Sequence, residues 1–109
     1  MWIETYDGRF INADKLASIK SERSSYANGT FTYCIYGAGV ISYLEQYDVM
    51  DKNAICICKI SDTNERKVKY VYNNVLIELR EKFYGEAKFI CIPELTEKYS
   101  KEFDAGEEG

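Results

Sequence analysis

The chain has 109 residues, 46% of them hydrophobic, and 18 acidic against 14 basic side chains, which gives a formal net charge of −4. This length and composition predict a globular domain and exclude a wholly disordered chain. No apolar run reaches the roughly 18 residues of a membrane-spanning helix, and the first residues lack a signal-peptide pattern. We therefore expect an intracellular, cytoplasmic protein with no membrane contact.

The negative charge is concentrated at the C-terminus. Residues 1–93 carry 12 acidic and 12 basic side chains, whereas residues 94–109 carry six acidic side chains and two lysines. A neutral body without a basic stripe indicates no direct binding to nucleic acid. We expect a single domain over residues 1–103, followed by an acidic, disordered tail over 104–109.

Two strands, 2–6 and 9–13, open the chain as a predicted hairpin. Asp7-Gly8 between them suits a two-residue type I′ turn, which places Ile3 opposite Asn12. A third strand over about 16–24 follows, and Asn28-Gly29 predicts a second tight turn.

The next segments predict further strands. In TFTYCIY, residues 30–36, alternation places Phe31, Tyr33 and Ile35 on one face. Gly37-Ala38-Gly39 is expected to end that strand and reverse the chain into a fifth strand over 40–47. The run AICICKI, residues 54–60, is apolar on both faces and predicts an interior strand.

A helical period begins near residue 63 and ends near residue 84. Asp62 with Glu65 resembles a capping box, and Gly85 suits the C-terminal stop. The apolar stripe of this helix consists of Val68, Val71, Tyr72, Val75, Leu76, Leu79 and Phe83. Such a stripe predicts that the helix packs on a sheet.

The last elements are a strand over 87–92 and a short second helix. Pro93 suits a first helical turn, and Leu95, Tyr99 and Phe103 recur at helical spacing. The strand pairs either in parallel with strand 54–60 or elsewhere in the sheet. Together the elements predict an α+β fold: a mostly antiparallel β-meander of about six to seven strands covered by one long helix.

The opening sequence MWIETYDGRFINADKLASI resembles the start of small uncharacterised proteins from Firmicutes and their phages or mobile elements. The residues that carry the resemblance are Trp2, Ile3, Thr5, Gly8, Asn12, Asp14 and Ile19. The segment SDTNERKVKYVYNNVLIEL is similar to the helix that follows in that group. The resemblance implies an intracellular meander-plus-helix protein, and it supplies no catalytic residue.

Catalytic and metal chemistry find little support in the composition. The chain has no histidine, which is the usual general base near neutral pH. Its four cysteines lie in apolar strands without the spacing of a metal site, and they indicate free thiols in a reducing compartment. We expect no enzyme activity, no metal and no cofactor.

Protein binding is the function that the composition favours. Ten tyrosines in 109 residues are many, and tyrosine is enriched at interfaces. A single helix covers one face of a sheet, so aromatic residues on the other face would stay available to another protein or to a second copy. The candidate contact residues are Trp2, Tyr33, Tyr36, Tyr43 and Tyr47; the alternative is that most of these are half-buried sheet residues.

A basic cluster offers a second candidate contact. Arg66, Lys67 and Lys69 lie at a helix start, where the helix dipole disfavours positive charge, so they could meet a phosphate or an acidic partner. The alternative is a solvated helix end.

Two other functions stay open at this stage. One is a phage-type inhibitor of a host defence or nucleic-acid-processing protein, with the acidic tail in a basic groove. The other is a small-ligand-binding protein.

Overall fold

The structure is a computed structural model that describes residues 1–39 and 54–108. These residues form an α+β fold, which confirms the predicted fold class. The strands are β1 (Trp2–Glu4), β2 (Phe10–Asn12), β3 (Leu16–Ala27), β4 (Thr30–Gly39), β5 (Ala54–Asp62) and β6 (Phe89–Cys91). The helices are α1 (Glu65–Phe83) and α2 (Ile92–Glu108), with a 3-10 turn at Ala13–Lys15. The predicted strand over 40–47 lies outside the described residues.

The described strands form two sheets rather than one continuous meander. The small sheet has the order β2-β1-β6, with β1 antiparallel to β2 and parallel to β6, and the large sheet has the antiparallel order β3-β4-β5. The last strand therefore pairs with β1 and not with β5. The backbone N–H of Tyr6 donates to the carbonyl of Ile57 at 2.9 Å and joins the two sheets.

The first hairpin differs from the prediction by one residue of register. Ile3 lies opposite Ile11 rather than Asn12. The connection has three residues because Gly8 alone takes a positive φ, +84°, while Asp7 does not. The N–H of Thr5 donates to the carbonyl of Arg9 at 2.7 Å. This geometry is typical of a type I turn followed by a glycine bulge.

The second hairpin confirms the predicted turn. Ala27 pairs with Thr30, and Asn28 and Gly29 between them have φ values of 55° and 77°. Positive φ at both central residues is the geometry of the type I′ turn, which Asn-Gly adopts readily.

Gly37 does not end β4 as the sequence suggested. The strand continues through Gly39, and Gly37 pairs with Ile19 on one side and Ile55 on the other. A Cβ on Gly37 would lie 2.8 Å from Leu16 Cδ1 and 3.0 Å from Ile57 Cδ1. The glycine therefore makes room for two core side chains, a role that local sequence does not distinguish from a turn.

Helix α1 covers the core with the predicted stripe. The stripe residues from Val68 to Leu79 are buried, and Phe83 packs against the core from a half-buried position. The helix begins at Glu65 because Asn64, rather than Asp62, is its N-cap: the Asn64 side chain accepts from the N–H groups of Arg66 and Lys67. Asp62 instead accepts from the N–H of Asn64 at 2.9 Å.

Helix α2 extends further than expected. Leu95 is buried, and Tyr99 packs against the core, as the spacing predicted. The helix continues through Glu108, where the sequence predicted a disordered tail. Two contacts with α1 hold this end in place: Asp104 pairs with Lys67 at 3.0 Å, and Phe103 lies beside Tyr70 with ring centroids 5.7 Å apart. Neither described helix is long and apolar enough to cross a membrane.

The first hairpin depends on the buried hydroxyl of Thr5. This oxygen accepts from the N–H of Arg9 at 3.0 Å and donates to the Asp7 carboxylate, and the bond to Thr5 is the main reason that the pKa of Asp7 is lowered. Replacing Thr5 with valine keeps the shape of the side chain but leaves the Arg9 N–H without this acceptor. We expect the free energy of unfolding to fall by about 1–2 kcal/mol in urea titrations.

The same variant should show a changed pH dependence. A carboxyl whose pKa is lowered by folding stabilises the fold above its ordinary value of 3.8, and this contribution is lost as the pH falls through the folded value. The wild type should therefore lose more stability in acid than Thr5→Val does. Thr63→Val is the matched control, because the Thr63 hydroxyl makes only a 3.5 Å exposed contact with Asp62. Equal stability of both variants and the wild type would contradict this role of Thr5.

Candidate interaction surface

The small sheet presents aromatic side chains to solvent. Strand alternation turns Ile3 and Ile90 into the core, so their neighbours Trp2 and Phe89 point to the opposite face, as does Phe10 of β2. Trp2 is 51% exposed, Phe10 61% and Phe89 48%. We call this side of β2-β1-β6 the aromatic face. It consists of Trp2, Glu4, Phe10, Asn12, Phe89 and Cys91.

The register fixes how these side chains lie. Trp2 stands between Asn12 and Phe89, while Glu4 stands between Phe10 and Cys91. The rings of Phe10 and Phe89, from the two outer strands, meet with centroids 6.4 Å apart and planes inclined by 28°. The face is thus one connected patch rather than three separate residues.

The patch is large enough to take a short segment of a partner. An aromatic side chain carries about 150–250 Å² of buriable surface, so three half-exposed ones offer roughly 300 Å². Exposed apolar patches of about this size are often functional.

Negative charge lies at one end of the aromatic face. The Cys91 thiol donates to Glu4 Oε1 at 3.6 Å, and Glu94 in the first turn of α2 is also close to it. Burial is the largest cause of the raised pKa of Cys91; the N–H of Glu94 opposes the shift, and the two carboxylates add to it. Cys91 therefore stays protonated between two acidic groups.

Of the five aromatic residues predicted as contacts, the structure places one on this face. Trp2 is there. Tyr33 is buried and packs edge-on against Tyr72 of α1, with ring centroids 5.0 Å apart, so it belongs to the core. Tyr36 is half-buried on the other side of β4, opposite Lys20 and Cys56. Tyr43 and Tyr47 lie outside the described residues.

The basic cluster is engaged within the chain. Lys67 pairs with Asp104 at 3.0 Å, and Lys69 pairs with Glu65 at 2.8 Å. Arg66 is exposed on the same helical turn. These contacts give two of the three basic residues a structural role at the start of α1.

Phe10 and Phe89 were missed as contact residues by sequence reasoning. In AKFICI, alternation around Ile90 does separate Phe89 and Cys91 from the core side, so the signal was present. For Phe10 the predicted register was wrong by one residue, which concealed that it shares a face with Trp2.

Three thiols, those of Cys34, Cys56 and Cys58, lie in the large sheet close to where Tyr6 of the first hairpin contacts it. Register shifts between β4 and β5 at Ile57, so Cys58 and Ile57 are both buried while Cys56 is half-buried. The Cys56 thiol donates to the carbonyl of Cys58 at 3.6 Å and is in hydrogen-bond contact with Cys34 and with Tyr6. All four cysteines are free thiols.

A groove of about 310 Å³ lies between β5 and α2. Tyr6, Lys59 and Ser100 are among its lining residues. Thr96 also lines it, but its hydroxyl donates to the carbonyl of Pro93 at 3.0 Å. The groove joins one cation to several hydroxyl groups, and it is one place where the small-ligand alternative would be sought. Within residues 1–39 and 54–108, no three histidine, cysteine or carboxylate side chains gather in a way that could hold a metal ion.

Comparison with protein-family models, curated proteins and solved structures finds no match to this chain. The case for a function therefore rests on the residues themselves.

The thiols of β5 predict a loss of stability in alkali. Burial is the largest cause that raises the pKa of Cys58 to about 12 and that of Cys56 to about 11. A group whose pKa is raised by folding stabilises the fold below its ordinary value, here 9.0, and the contribution is lost as the pH rises through the folded value. The melting temperature should therefore fall as the pH rises above 9.0.

Cys58→Ala separates this effect from general alkaline unfolding. The variant should be less stable at neutral pH by about 1 kcal/mol, because it leaves a small cavity, but its melting temperature should fall less steeply in alkali. Thermal melts across the alkaline range measure both quantities. Parallel curves for the variant and the wild type would show that the Cys58 thiol does not contribute.

Proposed function

We propose that the protein is a non-catalytic protein-interaction domain that binds its partner through the aromatic face. The observation that carries the proposal is the convergence of Trp2, Phe10 and Phe89, which come from three separate segments, on one solvent-facing side of a sheet. The part of an aromatic side chain that stays exposed gains no burial energy on folding, whereas aromatic residues are enriched where proteins bind one another.

The size of the aromatic face limits the kind of interface. A standard interface buries about 800 Å² on each partner, and the three aromatic residues supply roughly 300 Å². They would form the apolar centre of a small interface, surrounded by Asn12 and Glu4 as polar rim. The partner is a second protein or a second copy of the chain.

The acidic end of the chain is less suited to be the main contact. Asp104 is paired with Lys67, and Glu102 accepts from the Tyr70 hydroxyl at 3.3 Å. A tail over 104–109 that inserts into a basic groove of a host protein would have to give up the Asp104–Lys67 pair. This favours the aromatic face over the tail-based inhibitor that the sequence left open.

We propose that the protein acts in the cytoplasm of a bacterium and is encoded by that bacterium or by one of its mobile elements. The free thiols support a reducing compartment, and the opening motif around Trp2, Gly8 and Asn12 supports the mobile-element origin.

A displayed library of random peptides tests the proposal. Peptides are selected on the wild type and then measured on Phe10→Ala/Phe89→Ala, which removes the two exposed rings that meet across the face. We expect the affinity of the selected peptides to fall by about tenfold or more, a loss of about 1.4 kcal/mol. Ile77→Ala/Tyr84→Ala is the matched control, since both residues are exposed elsewhere, at 56% and 72%.

The outcomes separate the alternatives. Peptides that depend on Phe10 and Phe89 but not on Ile77 and Tyr84 support the aromatic face as the binding surface. Equal binding to both double variants contradicts it. Light scattering at micromolar concentration supplies the second arm: a dimer lost in Phe10→Ala/Phe89→Ala would identify a second copy as the partner.

A further inference from the structure

We propose that the aromatic face binds an arginine side chain presented by a short segment of the partner. The guanidinium group would lie on the exposed rings of Phe10 and Phe89 and donate hydrogen bonds to Glu4. This inference rests on the proposed function, and it names the chemistry that the partner must bring.

The position of Glu4 is the first argument. It is the one charged residue among the six that β1, β2 and β6 place on the aromatic face, and its strand neighbours there are Phe10 and Cys91. A carboxylate beside aromatic rings fits a cation, because the rings attract positive charge to their faces and the carboxylate neutralises it.

The absence of an internal counter-ion is the second argument. Within the part of the chain that the structure describes, neither Glu4 nor Glu94 has an ion pair, although both lie close to Cys91. Arg9 is the basic residue next to Phe10 in the sequence, and it is committed to Asp7 at 3.0 Å. Among the described residues, no basic side chain pairs with the negative end of the face, which suits a positive charge from outside.

Arginine suits this face better than lysine. Its guanidinium is planar and weakly hydrated, so it can stack on the Phe10 and Phe89 rings and still donate two parallel hydrogen bonds to one carboxylate. A lysine ammonium is a strongly hydrated point charge and cannot satisfy both contacts in the same way.

A second copy of the chain fits the face less well. A two-fold pairing of two aromatic faces would supply no positive charge to Glu4, because Glu4 is the one charged residue on the face of each copy. The apolar surface of roughly 300 Å² is also well below the about 800 Å² per partner of a standard interface. A short segment with one cation meets both constraints.

An NMR titration with three matched peptides tests the inference on the full chain. The peptides are acetyl-Gly-Arg-Gly-amide and the same peptide with citrulline or with lysine in the middle; citrulline keeps the planar shape of arginine and removes its charge. We expect the arginine peptide to shift the indole N–H of Trp2 and the amide signals of Phe10 and Phe89. Its affinity should be about fivefold to tenfold higher than that of the citrulline peptide, with lysine between them.

Glu4→Gln is the decisive variant. It should reduce the preference for arginine over citrulline to less than about twofold while leaving the rest of the spectrum in place. Glu65→Gln, at the start of α1, is the matched control and should keep the preference. Equal binding of arginine and citrulline peptides, shifts that map to another surface, or an unchanged preference in Glu4→Gln would each overturn the inference.

Failure here differs from failure of the proposed function. If displayed peptides still require Phe10 and Phe89 but carry no arginine preference, the aromatic face remains the binding surface and its cation specificity is wrong. A dimer that forms through the face would likewise support the proposed function and overturn this inference. If neither peptide set nor a second copy depends on Phe10 and Phe89, both proposals fall.

Discussion

The burial of Ile3 in the three-residue strand β1 is the constraint on which the rest of the structure depends. β1 is hydrogen-bonded on both sides, to β2 and to β6, and successive side chains of a strand point to opposite faces. Once Ile3 is in the core, Trp2 and Glu4 must face outwards. The same rule applied to Ile90 turns Phe89 outwards. The aromatic face is therefore the side of the small sheet opposite the one that packs on the core.

This constraint also joins distant parts of the chain. Glu4 and Cys91 are 87 residues apart in sequence, yet the parallel pairing of β1 with β6 sets them side by side. The start of the chain is thereby tied to the strand that leads directly into α2. The Tyr6–Ile57 hydrogen bond then connects this small sheet to the large one. A surface built from such distant segments exists only in the folded protein.

The elements set by local chemistry could be predicted from the sequence. The stripe from Val68 to Leu79 and the Asn28-Gly29 turn depend on residues close together in the chain, and the structure confirms both. The wrong predictions concern positions where two turn types are close in energy or where residues distant in the sequence determine the structure. At Asp7-Gly8 a three-residue loop replaces the expected two-residue turn and shifts the register by one residue. At Gly37 the close approach of the Leu16 side chain, rather than a turn, requires a glycine.

The candidate site was predictable only in part, for the same reason. Trp2 was among the predicted contact residues, but no local signal shows that β6 lies beside β1 and brings Phe89 next to it. Tyr33 has the composition of a contact residue, yet its parity with Ile35 put it under α1. The high aromatic content indicated an exposed aromatic surface, and the pairing of β1 with β2 and β6 determined which residues form it.

Acrylamide quenching of the fluorescence of Trp2, the single tryptophan of the chain, tests the central claim most directly. The claim is that the aromatic face is open to solvent in the free protein. The account predicts a quenching constant for the dilute, folded protein that approaches the value for the chain unfolded in urea. A tryptophan that is shielded from acrylamide in a dilute, folded monomer would contradict it, because β1 would then not present Trp2 on an open face.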